Sequence, residues 1–196
     1  MPTVNEWLQS EAIRHQVDLS RYSNAVVRKV IATLNRSDKR LAAELLEVVE
    51  NNWRGSFSAE RLELLLKSIK ALNVDAFTAA EKALAEELRQ FVEYELAYQQ
   101  RALVTALPVQ VSFASVSLDQ VYSSAMNRPF QGVLLAGIWS ELSDARMRLI
   151  RRAIAQGFVE SQTTDQIVRA LMGTRARGYA DGLVNRSRRE VQAVVR

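Results

Sequence analysis

Apolar residues along this chain recur at intervals of three and four, the spacing that lines one face of an α-helix. After a start near Asp18 or Ser20, Tyr22, Val26, Val30 and Leu34 step by four. Asn35-Arg36-Ser37-Asp38 interrupts the stripe, which resumes at Leu41, Leu45, Val48 or Val49, and Trp53, running into Asn51-Asn52 and Gly55. This break predicts two antiparallel helices, with one bent helix as the alternative. Ser58 is placed to cap a helix bearing Leu62, Leu65, Leu66, Ile69 and Leu72, with Glu60 in its first turn, where the helix dipole favours an acid. A further stripe runs from Phe77 through Ala80, Leu84, Leu88 and Phe91, then drifts onto Val92, Leu96, Leu103 and Leu107 before Pro108 stops it. Unbroken from residue 75 to 107, that helix would be roughly 50 Å long.

Beyond Pro108 the elements shorten. The stretch PVQVSFASVS alternates, but a lone strand has no visible partner, so it reads as an extended loop. Ser117 with Gln120 matches a capping box for a short helix through Val121 and Ala125. A turn-like break at residues 127–132 leads to an apolar segment ending at Trp139. Ser143 is placed to cap a helix bearing Met147, Ile150 and Ile154 up to Gly157. Thr163 and Gln166 form another capping box, ahead of Ile167, Val168, Leu171 and Gly173. Residues 174–185 read as a loop, and Ser187 opens a final helix with Val191, Val194 and Val195 inward. The expected fold is all-α: an elongated bundle of long helices over residues 1–140, and a small arginine-rich helical part over 141–196 that starts a longer C-terminal domain.

Composition supports a helical, globular chain. Of 196 residues, 48% are apolar and 24% charged, while only 7 Gly and 3 Pro are available for turns. The absence of cysteine removes disulfides, thiolate metal sites and cysteine nucleophiles. The first 15 residues carry Glu6 and Glu11 and lack the apolar core of a secretory signal. The longest uncharged run, 102–118, contains Pro108 and several polar residues, so no membrane contact is expected.

Candidate chemistry is sparse. His15 is the only histidine; Glu11 and Asp18 flank it, yet no nucleophile signature accompanies it, and it reads as an ordinary surface or interface histidine. Glu81, Glu86, Glu87, Glu93 and Glu95 lack the Glu-x-x-His motifs of a dimetal site and read as solvated faces. The segment GTRARG lacks the end of a phosphate-binding loop. No catalytic residue, metal site or cofactor is expected.

Charge placement is more informative. Residues 141–196 hold 11 Arg, no Lys and 6 acids, a balance of +5, which leaves residues 1–140 at −1. Arg169, Arg175, Arg177, Arg186, Arg188 and Arg189 are candidates for contacting DNA phosphates or an acidic protein, because guanidinium forks pair with either. Tyr179 alone interleaves them, which argues against single-strand stacking. Phe130, Leu134, Leu135 and Trp139 are candidates for an apolar protein-docking patch.

At residues 151–196 the order of short segments resembles the head morphogenesis proteins of tailed bacteriophages, the phage Mu F-like minor head protein family. The resemblance rests on Gln156-Gly157, on Glu160-Ser161-Gln162-Thr163-Thr164-Asp165-Gln166-Ile167-Val168, on Gly173-Thr174-Arg175, and on Ser187-Arg188-Arg189. NRPFQGVLLAGIW and NEWLQSEAIRHQVDLSRY extend it upstream. It implies a minor structural protein of the capsid interior near the portal vertex, present in the host cytoplasm during assembly. Its implied partners are the portal protein, other head proteins or further copies of itself, and packaged double-stranded DNA. Its implied roles are head assembly and genome retention or delivery. A DNA-binding internal ejection protein and a virion-associated lytic enzyme, the latter using an acid such as Glu93 or Glu160, are the alternatives. Family members continue into an α/β region that often carries two cysteines, which this sequence lacks.

Overall fold

The computed structural model describes residues 3–52, 59–106, 116–129 and 132–196. Within them the chain is all-α, with six helices: α1 (Val4–Asn52), α2 (Ala59–Ala106), α3 (Leu118–Met126), α4 (Leu135–Val159), α5 (Thr164–Met172) and α6 (Leu183–Val195). A 3-10 turn, Arg175–Arg177, lies between α5 and α6. Among the described residues, no helix is long and apolar enough to cross a membrane.

α1 and α2 are single helices of 49 and 48 residues, each roughly 70 Å long. Neither contains a glycine or proline. The expected break at Asn35-Arg36-Ser37-Asp38 therefore does not occur. Asn, Ser and Asp cost only ~0.7 kcal/mol or less each in a helix, and packing outweighs that. Ser37 donates its hydroxyl to the Thr33 carbonyl at 3.4 Å, and Asp38 lies in register with Val30 and Leu34 on the buried face. The two helices run antiparallel. Tyr98 of α2 reaches Glu11 of α1, Tyr22 reaches Glu87, and Ser68 reaches Glu44.

Four helices make the core. Val26, Val30 and Leu34 of α1, Phe77, Ala80 and Leu84 of α2, Trp139 of α4 and Val191 of α6 form one apolar cluster. Leu41 of α1, Leu65 and Ile69 of α2, Ile150 and Ile154 of α4, and Val184 of α6 form a second, joined by Ile167 and Leu171 of α5. Along α1 and α4 the first cluster precedes the second, and along α2 and α6 the order reverses, so the four alternate in direction. α1 packs on α2, α2 on α4, α4 on α6, and α6 on α1, which closes a four-helix bundle. Two of its helices follow the charge change near residue 140 or span it, so the core runs across that line. α5 covers one side against α1, α4 and α6, and α3 lies on α2.

Three further boundaries differ from the sequence reading. The stripe ending at Leu72 and the stripe starting at Phe77 belong to one helix, α2. Ser143 is a buried mid-helix residue, since α4 begins eight residues earlier at Leu135. α6 starts at Leu183, ahead of Ser187, which is buried and donates to the Val184 carbonyl at 2.9 Å. The caps at Ser117 and Thr163 are present, the latter as a full capping box with Gln166. The Ser58 cap, Trp53, Leu107 and the PVQVSFAS stretch lie outside the described residues.

Candidate functional site

Between the two apolar clusters lies a polar layer to which every bundle helix contributes. Asp38 of α1 is 1% exposed and accepts from two guanidinium groups. Arg146 of α4 bonds Oδ1, and Arg188 of α6 bonds Oδ2 through Nε at 2.9 Å and Nη2 at 2.6 Å. Arg146 also lies 5.8 Å from the centre of the Phe77 ring, within cation–π range. Asn73 of α2 completes the layer, donating to the Ser143 carbonyl at 3.0 Å and to its hydroxyl at 2.9 Å. A fixed polar pairing inside an apolar bundle specifies register, because any slip would strand a charge in the core.

Asp38 and Arg188 also form the inner wall of a groove of about 990 Å³ between α1 and the α5–α6 hairpin. Ala42, Ala43 and Leu46 of α1 face Val168 and Met172 of α5 across its floor. Lys39, Arg169 and Arg175 stand exposed around it, and none makes an ion pair among the described residues. Counting Arg188, four cations meet two carboxylates, Asp38 and Asp165. Asp38 is committed to its two arginines, so the open charge is positive.

Two glycines shape the turn between α5 and α6, and the first of them lines the groove. Gly173 ends α5 at φ +86, a conformation that L side chains avoid. Gly182, at an ordinary φ, is required by contact: a Cβ there would lie 2.3 Å from the Met172 carbonyl carbon and 2.5 Å from the Gly173 nitrogen. Asp181 ties the hairpin by accepting from the Thr174 amide and hydroxyl, both at 2.8 Å. Those bonds, the amide first, hold its carboxyl below the usual carboxylate range. Tyr179, at φ +63 and half-exposed, stands on the lip.

The structure divides the arginine candidates. Arg169, Arg175 and Arg188 line the groove, and Arg177, Arg186 and Arg189 lie outside it. Arg188 is not an open contact, because its side chain is 17% exposed and bound to Asp38. Arg186 pairs with Glu190 at 3.3 Å on the surface. The docking patch is also corrected. Trp139 is 2% exposed and packs edge-on against Phe77, and Leu135 packs against the same cluster. Leu134 is exposed, and Phe130 lies outside the described residues.

His15 is buried between the long helices. It stacks on Tyr98 at 3.6 Å between ring centroids, and its Nε2 lies 2.7 Å from Glu95 Oε1, at an angle outside hydrogen-bonding geometry. A second cleft, about 730 Å³, is lined by Tyr22, Phe91, Glu87 and Val195 among others. There Lys29 pairs with Glu87, and Tyr22 donates to the Glu87 carbonyl at 2.7 Å. Burial, then the Glu87 carboxylate, pushes the Tyr22 hydroxyl up to about 12. Glu93 and Glu160 are exposed and line neither cleft; Glu160 accepts from Gln156 and Gln162.

Comparison of the chain with protein-family models, curated proteins and solved structures finds no match.

The α1 wall of the groove was missed by the sequence reading. Its signal was present: Asp38 follows Leu34 by four and precedes Leu41 by three, a carboxylate in an apolar register. Arg146 repeats the pattern four residues before Ile150. Two opposite charges, each in the buried register of its own helix, point to each other.

Proposed function

We propose that this chain is a minor structural protein of a tailed-phage head, binding the portal vertex inside the capsid and assisting head assembly and genome retention or delivery. It works by binding and placement. The order of segments over residues 151–196 suggests the family, and the groove is the observation that carries the binding role. The groove lies between bundle helix α1 and the α5–α6 hairpin, and its exposed cations Lys39, Arg169 and Arg175, without an ion pair among the described residues, suit a partner surface that carries carboxylates. A lytic role is less well supported, because Glu93 and Glu160 are solvated and lie in neither cleft.

The test is co-expression with the portal protein of the same phage, followed by affinity purification at low and high salt. A complex at low salt is expected, weakening as salt screens the exposed arginines. Absence of a complex at both salt concentrations would overturn the proposal.

A further inference from the structure

The groove has a chemistry that selects among partners. Its floor is apolar, with Ala42, Ala43 and Leu46 along α1 opposing Val168 and Met172 along α5. Its exposed cations come from both sides, Lys39 from α1, Arg169 from α5 and Arg175 from the turn after α5. Asn35 to Leu46 along the α1 wall spans about 16 Å, three turns of a helix. DNA phosphates would satisfy the edges, but nothing on a duplex backbone would cover the floor. Tyr179 adds a half-exposed aromatic ring on the lip, carried by a backbone in the left-handed region. Tyrosine is enriched among the residues that carry binding energy at protein interfaces, and a half-exposed ring beside an apolar groove is placed for that use.

We infer that this groove receives an acidic amphipathic helix of a partner protein, with its apolar stripe on the alanine floor and its flanking carboxylates paired with Lys39, Arg169 and Arg175. This rests on the reading that the chain binds another protein, and it specifies the chemistry of that partner. Helix-in-groove recognition reads apolar residues at i, i+3 or i+4, and i+7, which three turns accommodate. Asp165 at the α5 wall opposes a carboxylate there, so the preferred helix carries a neutral or basic residue at that end.

The experiment is selection of a displayed library of 16-residue helical peptides on the full chain, then titration of the enriched peptides. The same titrations use an R169E/R175E variant, an A43R variant and a random-sequence DNA duplex. Enrichment of acidic amphipathic peptides is expected, with affinity falling at least about tenfold in R169E/R175E. A43R is the discriminating variant: it adds a positive charge but fills the floor, so it weakens the peptide while strengthening any purely electrostatic contact. Thermal melts of both variants check that they fold, and Ala43, Arg169 and Arg175 are all exposed. No enrichment, peptides without acidic bias, or tighter peptide binding by A43R would overturn the inference. Duplex binding that rises in A43R and falls in R169E/R175E, without peptide binding, would assign the groove to DNA instead. If the portal protein binds and is indifferent to all three substitutions, the portal role stands and the groove assignment fails. If selected peptides bind as expected and the portal protein does not, the reverse holds.

Discussion

Replacing Asp38 with Asn tests whether the polar layer is sealed from water. Arg146 is 3% exposed at its side chain, and its only ionic partner among the described residues is Asp38. With a neutral amide opposite, the guanidinium stays charged in an apolar interior, and breaking a buried pair from one side costs about 3–5 kcal/mol. A chain of this size is stabilised by roughly 5–15 kcal/mol in total. At roughly 2–4 °C per kcal/mol, the melting temperature should fall by about 6–20 °C. Urea unfolding followed by circular dichroism reads the change as a lower midpoint. The companion variant D38L/R146M removes both charges and fills the space with apolar atoms, leaving Arg188 to turn towards solvent. It should recover to within about 1 kcal/mol of the parent or exceed it, because the desolvation of two ions is no longer incurred. A loss below about 1 kcal/mol for D38N would refute the reasoning, since it would mean that water reaches Arg146.

Three other outcomes follow from the same geometry. Gly182→Ala forces a Cβ onto Met172 and Gly173 backbone atoms that cannot rotate away, so stability should fall by about 1–3 kcal/mol; limited proteolysis should then cut first between α5 and α6. Trp139→Ala should cost about 3–5 kcal/mol as a core deletion, and Leu134→Ala less than about 0.5 kcal/mol as a surface change, measured by chemical denaturation. The raised Tyr22 hydroxyl contributes stability in full below pH 10, and this is lost as pH rises from the ordinary 10.0 towards about 12. Tyr22→Phe should flatten that part of the stability profile, and an unchanged profile would show that burial and Glu87 do not raise the phenol.

The helical class was legible because three- and four-residue spacing recurs along both α1 and α2, although each reads as two segments in the sequence. The caps at Ser117 and Thr163 were legible because capping is local chemistry. Asn35-Arg36-Ser37-Asp38 misled because four residues favoured in turns were weighed by propensity, while burial of Asp38 against Arg146 and Arg188 is a contact across more than a hundred residues. Ser143 misled for the same reason: a serine that looks like a cap is a partner for Asn73 in the bundle interior. The arginine cluster was visible as charge, but its division into an internal tie and groove contacts depends on which face of α6 meets α1. Trp139 shows the converse error, since an apolar segment following a turn resembles an exposed patch until a second helix is found to cover it.

The proposed role is docking of the portal protein into the groove between α1 and the α5–α6 hairpin. The dissociation constant for purified portal assembly, compared between the parent chain and A43R at matched salt, tests it most directly. The parent should bind, and A43R should lose about tenfold or more despite its added positive charge. Equal or tighter binding by A43R would contradict docking in the groove, and no binding by the parent would contradict the portal as the partner.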